Sequence, residues 1–163
     1  MKHFLLKIWK ALPPKLKIFF FHLLRPKYMV AVAAIVFDKN GKVLLGKHTY
    51  RKCCSWGILA GNLEYGEDPK NAIVRELREE TGLEIRVEQL LKAVIAKEDH
   101  HISLIYACKI VDGVFQPSAE ISAIEYFSPD ELPKMLSTEK ALIQQLVFEY
   151  LPLNTGYRYE QLA

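Results

Sequence analysis

The sequence predicts an α/β domain in which a mixed β-sheet carries helices on its faces. Residues 29–37 are almost all apolar and rich in β-branched side chains, as expected of a strand buried on both faces. Asp68 and Pro69 then begin a helix, with an N-cap carboxylate followed by proline at the first helical position. Because further strands and helices alternate along the chain, the sheet is expected to be mixed and covered by helices.

Length and composition are those of one ordinary globular domain. The chain has 163 residues, half of them hydrophobic and 25% charged, and no apolar run is long enough to span a bilayer. The three cysteines are Cys53, Cys54 and Cys108, an odd number without CxxC spacing. This pattern argues against a disulfide framework or a zinc site and favours a reducing cytoplasm.

The charge is divided unevenly between an N-terminal extension, residues 1–27, and a domain, residues 28–163. Residues 1–28 contain seven of the 22 basic residues and no acid, which leaves 15 basic against 19 acidic residues in the rest. The domain is therefore mildly acidic, and no basic stripe within it points to nucleic acid as a partner.

The extension is predicted to form two short amphipathic helices separated by Pro13 and Pro14. Apolar residues recur at helical spacing before and after these prolines. They are Phe4, Leu5, Ile8, Trp9 and Leu12, then Leu16, Phe19, Phe20, Leu23 and Leu24. Interrupting lysines and the lack of a cleavage site argue against a signal peptide. Three alternatives stay open: docking on its own domain or in a homodimer, peripheral contact with the inner membrane surface, or nucleic-acid binding.

The first half of the domain is expected to contain a hairpin and a short strand before the helix. Residues 38–41 form a strong turn signal, and Lys42–Lys47 is predicted to be the return strand of a hairpin. Trp56–Ala60 is predicted to be a short strand that ends at Gly61. Gly82 stands where the helix should end.

The second half is expected to contain three strands and two helices. Ile85–Ala96 and Ile102–Val111 are predicted strands separated by polar residues, and Asp112 and Gly113 turn the chain. A last strand is predicted near Ile124–Phe127. Residues 129–132 resemble a helix start, and Thr138–Tyr150 is predicted to be a C-terminal amphipathic helix.

An acidic cluster on the first domain helix is the candidate reaction site. Glu76, Glu79 and Glu80 stand at positions i, i+3 and i+4 and therefore share one helix face. Such carboxylates repel one another unless a positive group lies among them, and a hard divalent cation with oxygen ligands is the natural candidate. An isolated acidic cluster is usually a solvated face. Here the neighbouring Arg75, the earlier Glu67 and the strand–glycine loop–helix frame favour a metal site.

The whole segment from Gly61 to Leu83 resembles the Nudix box of the Nudix hydrolase superfamily at every defining position. It reads Gly61, five residues, Glu67, seven residues, Arg75-Glu76-Leu77, one residue, Glu79-Glu80, one residue, Gly82-Leu83. A softer resemblance extends from Met29 to about Leu151 and leaves out the extension. The resemblance implies a Nudix α/β/α sandwich with a mixed sheet. It also implies a metal-dependent hydrolase that cleaves a phosphoanhydride bond in a nucleoside-diphosphate-linked or nucleoside triphosphate substrate.

Carried over residue by residue, the resemblance assigns the box residues to a Mg²⁺ site, with Mn²⁺ as the alternative ion. Glu76, Glu79 and Glu80 are the expected carboxylate ligands. Arg75 is expected to orient a glutamate by charge-assisted hydrogen bonds. Glu67 is either a weaker ligand or a brace for the loop, and the carbonyl of Gly61 is expected to reach the metal.

The family also tends to use a glutamate outside the box, and Glu120 is the best candidate here. The resemblance leaves the proton acceptor open between Glu79, Glu80 and Glu120. Where family members often carry Pro-Gly-Gly, this chain has Ala60-Gly61-Asn62, a departure that affects the loop but not the ligands.

Candidate contacts to a small phosphorylated substrate are Arg51, His100 and His101. Adjacent strand residues point to opposite faces, so the two histidines cannot both serve one site, and Arg51 faces either phosphate or solvent. The substrate stays open among nucleoside triphosphates, nucleotide sugars, ADP-ribose, dinucleotides and RNA 5′ ends. The alternatives to an enzyme are a nucleotide-binding sensor domain that does not cleave, and a membrane-recruited interaction protein acting through the extension.

Overall fold

A computed structural model describes residues 9–10, 12–24, 27–96 and 100–154. The predicted first helix of the extension falls for the most part outside these residues. The elements in chain order are α1 (Pro14–Leu24), β1 (Met29–Val36), β2 (Val43–His48), β3 (Trp56–Gly57), β4 (Leu59–Asn62), α2 (Pro69–Thr81), β5 (Leu83–Ala96), β6 (His101–Gly113), β7 (Ile121–Phe127) and α3 (Ser137–Asn154). Helix α1 confirms the second predicted helix of the extension, and none of its residues is buried.

The first strand of the domain occupies the middle of a four-stranded sheet with the order β4-β1-β6-β5. Strand β1 is antiparallel to β4 and parallel to β6, and β6 is antiparallel to β5. The sheet is therefore mixed, as predicted. The continuous apolar run of β1 follows from this central place, because six of its eight residues are buried.

The predicted hairpin between residues 29–37 and Lys42–Lys47 is wrong. The turn forms, because the Asp38 Oδ1 atom accepts hydrogen bonds from the backbone N–H groups of Asn40 and Lys42, each at 2.8 Å. Beyond the single bridge between Phe37 and Val43, however, β2 joins a separate antiparallel sheet with the order β3-β2-β7. Both edges of β1 are already taken by β4 and β6, so β2 has no free edge to pair with.

The strand predicted over Trp56–Ala60 is divided into β3 and β4 at Ile58. Trp56 pairs with Lys47 of β2 in the three-stranded sheet, whereas Gly61 pairs with Val32 of β1 in the four-stranded sheet. The chain thus crosses from one sheet to the other at a single residue. This crossing places the end of β4 beside the centre of the mixed sheet, where the loop to α2 begins.

Helix α2 begins and ends where the sequence predicts. The Asp68 carboxylate accepts a hydrogen bond from the Lys70 N–H at 2.8 Å, and Pro69 occupies the first turn. Gly82 ends the helix with φ 72°, and its N–H donates to the Arg78 carbonyl oxygen at 2.9 Å. The left-handed backbone at this position is the reason that glycine stands there.

Helices on both faces complete the predicted α/β/α sandwich. The apolar side of α2 is fully buried against one face of β1, and the apolar side of α3 is buried in a second cluster on the other face. The two sets are Ala72, Ile73 and Leu77 of α2, and Ile143, Leu146 and Val147 of α3.

The helix predicted to start at residues 129–132 is wrong. The segment makes a single turn in which the Glu131 N–H donates to the Ser128 carbonyl oxygen at 3.0 Å. Pro133 explains the difference, because it supplies no N–H and disfavours helical backbone at Leu132. Leu132 is instead buried with Met135 beneath α3.

Candidate active site

The loop between β4 and α2 brings one box glutamate against the sheet. A Cβ atom at Gly61 would lie 2.1 Å from Cδ and 2.5 Å from Oε2 of Glu76, closer than real contacts allow. The Asn62 N–H donates to Glu76 Oε1 at 3.1 Å. Glycine at position 61 is therefore required for the Glu76 carboxylate to lie against the end of β4.

Arg75 ties this loop to the helix with a set of charge-assisted hydrogen bonds. Its Nε and Nη2 atoms donate to the two carboxylate oxygens of Glu67 at 2.9 and 3.0 Å, and its Nη1 atom donates to Glu76 Oε1 at 3.0 Å. Nη2 also donates to the Asn62 carbonyl oxygen at 3.1 Å. The hydrogen bond with Glu67 is the main cause of the raised pKa of Arg75, and it lowers the pKa of Glu67.

Glu67 lies as a brace of the loop. Both of its carboxylate oxygens bind Arg75, and Oε2 also accepts the Glu64 N–H at 3.1 Å. The chain turns just before it at Gly66, whose φ of 78° suits glycine. Of the two predicted roles for Glu67, this geometry supports the brace.

Glu80 is the buried member of the acidic cluster. Its residue is 9% exposed, and its Oε2 atom has no hydrogen-bond partner among the described residues. Burial, followed by the negative charges of Glu120, Glu76 and Glu79, raises the pKa of Glu80 to about 7. A buried carboxyl group surrounded by like charges is typical of a site completed by a cation.

The remaining predicted acids lie around Glu80 in different ways. Glu79 is 61% exposed, and Arg75 Nη1 approaches its Oε2 atom at 3.4 Å. Glu120 lies in the loop before β7, where its carbonyl oxygen accepts the Thr49 N–H at 2.8 Å. Although Glu120 is 40 residues beyond Glu80, its charge is the largest electrostatic contribution to the pKa of that residue. The fold thus brings the predicted outside glutamate towards the box.

The residues present suit a hard divalent cation. As the side chains lie, no three His, Cys, Asp or Glu groups among the described residues converge on one ion position. Glu76 is occupied by Arg75 and Asn62, and Glu79 extends to solvent. The donor set nevertheless fits, because the unpaired buried oxygen of Glu80 and its acidic neighbours are the hard oxygen ligands that Mg²⁺ and Mn²⁺ take.

Arg51 has a partner that the sequence did not indicate. Its Nη2 and Nη1 atoms donate to the two carboxylate oxygens of Glu139 in α3 at 2.9 and 3.2 Å, and both side chains are about four-fifths buried. Burial is the largest single influence and opposes the charge of Arg51, but the hydrogen bond and charge of Glu139, together with Tyr50, outweigh burial and raise the pKa of Arg51. Neither predicted environment, substrate phosphate or solvent, describes this pair.

Of the two predicted histidines, His101 is the first residue of β6 and His100 directly precedes it. His101 is in register with Met29, whereas Val32 of β1 packs beneath α2, so alternation places His101 on the opposite face of the sheet. The His100 ring contacts the Tyr28 ring at 5.8 Å between centroids. The structure therefore places His101 on the sheet face opposite the box helix and His100 against Tyr28.

A buried histidine lies beside Arg51 that the sequence does not mark as a candidate. His48 is 3% exposed, its Nδ1 atom lies 3.0 Å from the Tyr50 hydroxyl oxygen, and its Nε2 atom has no partner among the described residues. Burial, and then the charge of Arg51, lower the pKa of His48. The only signal in the sequence is a single histidine at the end of a strand, which does not distinguish a functional position.

An α/β/α sandwich with a glycine loop, an arginine brace and an acidic helix defines the class of protein, and comparison with known families identifies it. Residues 27–147 match the NUDIX domain. The match covers most of the chain, so the chain belongs to the NUDIX family. The resemblance seen in the box is confirmed, as is the prediction of an enzyme of the Nudix hydrolase class.

Individual relatives agree with the family match. The chain is 28% identical over 117 residues to a MutT-like protein of Streptomyces ambofaciens, covering 72% of this chain and 75% of that protein. It is 31% identical over 123 residues to an ADP-ribose pyrophosphatase of Methanocaldococcus jannaschii, covering 71% and 70%.

Solved structures agree on the fold. A crystal structure of a UDP-X diphosphatase matches with a TM-score of 0.68 at 25% identity, over 85% of this chain and 72% of that one. A NUDIX hydrolase from Nitrosomonas europaea matches with a TM-score of 0.69 at 20% identity, over 79% and 75%, which supports the fold alone.

Proposed function

We propose that this chain is a pyrophosphohydrolase, dependent on Mg²⁺ or Mn²⁺, that cleaves a phosphoanhydride bond in a nucleoside-diphosphate-linked or nucleoside triphosphate substrate. The observation that carries the proposal is the buried, unpaired carboxyl group of Glu80 within a cluster of box carboxylates. The activities of relatives support a small phosphorylated substrate. They include the ADP-ribose pyrophosphatase and a CTP pyrophosphohydrolase of Escherichia coli that is 30% identical over 107 residues.

The ion would be held by the carboxylates of Glu76, Glu79, Glu80 and Glu120 and by the Gly61 carbonyl oxygen. When bound, it supplies neutralisation of phosphate charge and acidification of water. Glu76 would exchange its contact with the Asn62 N–H for the ion, and the close approach that Gly61 permits would keep its carboxylate within reach.

We propose that Arg75 and Glu67 position the metal ligands and do not act on the substrate. Their paired hydrogen bonds fix the loop against the first two turns of α2, so that the ligands on the loop and on the helix keep one spacing. A proton from the attacking water is taken by one of Glu79, Glu80 and Glu120. The pH–rate profiles of the three glutamine variants distinguish them, because loss of the base removes one ionisation from the profile.

The test is product release from a panel of nucleoside triphosphates, nucleotide sugars, ADP-ribose and dinucleotides, with each ion in turn. Glu80→Gln and Glu79→Gln are expected to lower metal-dependent turnover by about 10²–10⁴-fold, as expected when a ligand or base is lost. Glu131→Gln, an exposed carboxyl group on the turn after β7, is the matched control and keeps full turnover. Nucleotide binding without turnover across the panel contradicts the proposal and favours the sensor domain.

The proposed location is the cytoplasm, where the substrates of this class are found and where the thiols stay reduced. We propose that residues 1–27 add a peripheral membrane contact or a homodimer contact to the enzyme.

A further inference from the structure

Helix α1 presents apolar side chains to solvent over its whole length. Leu16, Ile18, Phe19, Leu23 and Leu24 are between 43% and 73% exposed, and no residue of the helix is buried. Docking on its own domain would bury one side of the helix, so that alternative does not describe this structure. An apolar surface of this extent marks a contact with a membrane or another protein.

The exposed side chains are not confined to one stripe. At about 100° per residue, Leu16 and Ile18 point in nearly opposite directions, and Leu24 points between them. Basic residues, Lys15 and Lys17, lie among them. A lipid surface accepts such a wide apolar arc, because long lysine side chains can extend back to the headgroups.

A second group of exposed apolar side chains lies at one end of the four-stranded sheet. Tyr28 and Met29 at the start of β1 are 40% and 57% exposed, and Ile95 at the end of β5 is 58% exposed. The register places them at the same end of the sheet, because Met29 pairs with His101 and Ile95 pairs with Ile102 at the start of β6. Met29 and Ile95 point to opposite faces there, so a surface that meets the end of the sheet contacts both. Leu24 is only five residues before Met29, and so short a connection keeps α1 close to this end of the sheet.

We propose that α1 and this end of the sheet, with Tyr28, Met29 and Ile95, together bind the enzyme to the surface of an anionic lipid bilayer. The charge of the extension selects this occupant over a second copy. Seven basic residues and no acid stand in residues 1–28, so two extensions repel each other, whereas an anionic surface attracts each basic residue.

The helix lies on the bilayer rather than across it. Eleven residues of α-helix are about 16 Å long, roughly half the thickness of the hydrocarbon layer. Within the part of the chain that the structure describes, no helix is long and apolar enough to cross a membrane. The box loop follows β4, and β4 ends at the same end of the sheet as Met29. The active site would therefore open close to the lipid surface.

Flotation of the full chain with vesicles tests the proposal without reference to hydrolysis. Phosphatidylcholine vesicles containing phosphatidylglycerol are expected to bind the chain, and pure phosphatidylcholine vesicles to bind it at least about tenfold less. Lys15→Glu with Lys17→Glu is expected to lower binding to the anionic vesicles by about tenfold or more. The matched control is Lys39→Glu with Lys42→Glu, which makes the same charge change in the exposed turn at the opposite end of the sheet. This variant is expected to keep binding.

Failure of the unaltered chain to float with anionic vesicles overturns the proposal, as does equal loss of binding in both double variants. A dimer in solution that the change at Lys15 and Lys17 dissociates, without vesicle binding, identifies a second copy as the occupant instead. Circular dichroism of each variant shows whether the domain is folded.

Quenching by brominated lipids tests the orientation. In a Trp9→Phe background, Ile95→Trp is expected to be quenched and Val114→Trp not, because Val114 is 77% exposed just beyond the opposite end of β6. The remaining Trp56 is packed on Phe127 inside the domain, with ring centroids 4.9 Å apart. Quenching at Val114 but not at Ile95 contradicts the proposed surface.

Discussion

Replacing Glu80 with glutamine is expected to stabilise the metal-free protein at about pH 8 and to change its stability little near pH 4.5. Because the pKa of Glu80 is raised from 4.5 to about 7 in the folded protein, the folded state binds this proton more tightly than the unfolded state. The free energy of unfolding therefore falls as the pH rises from about 4.5 to 7. Glutamine imitates the neutral carboxyl group and does not ionise, so the variant does not lose this free energy.

The magnitude follows from the size of the shift. At about 1.4 kcal/mol for each pKa unit, the change corresponds to roughly 3 kcal/mol at pH 8. Urea unfolding in EDTA at the two pH values measures it, and Glu131→Gln shows the effect of removing an exposed carboxyl group. If Glu80→Gln and the unaltered chain differ in stability by the same amount at both pH values, the reasoning is refuted, because a difference caused by ionisation of Glu80 must change with pH.

Three further substitutions test the geometry. Gly61→Ala is expected to push the Glu76 carboxylate from its place and to lower turnover by about 100-fold while circular dichroism stays unchanged, since the side chain that must move is flexible. Arg75→Lys cannot keep the paired hydrogen bonds with the Glu67 carboxylate, so urea unfolding is expected to show a loss of about 1–2 kcal/mol in the free energy of unfolding. Unchanged stability contradicts the role of this contact as a brace. Arg51→Ala leaves the mostly buried Glu139 carboxylate without its ionic partner, so urea unfolding is expected to show a loss of about 1–3 kcal/mol. A double-mutant cycle with Glu139→Gln that shows no coupling contradicts the pair.

Local signals in the sequence predicted the box helix well. The Asp68 cap, Pro69 and the left-handed Gly82 act within a few residues of themselves, and their chemistry does not depend on the rest of the chain. The apolar run of β1 also predicted its burial on both faces. For the same reason the spacing of Glu76 and Glu80 on one helix face could be read directly from the sequence.

Pairing between distant segments could not be read in this way. The turn after Asp38 was recognised, but the partner of β2 depends on which strands occupy the edges of β1, and those strands come later in the chain. The Arg51–Glu139 contact joins residues 88 positions apart, and nothing near either residue indicates it. Pro133 was a local signal that weighed against the predicted helix start.

The central place of β1 governs how the domain can assemble during synthesis. Its parallel partner β6 begins at His101, 72 residues after Met29, so the mixed sheet stays incomplete until most of the domain has left the ribosome. Pairings of such long sequence separation fold slowly, on a scale of about milliseconds to seconds. Throughout that interval a strand of eight apolar residues has one unpaired edge, and it follows directly on the apolar extension. The nascent chain is therefore most prone to aggregation at its N-terminal end. Binding of the extension to a membrane early in synthesis would also shield β1 until β6 is available to pair with it.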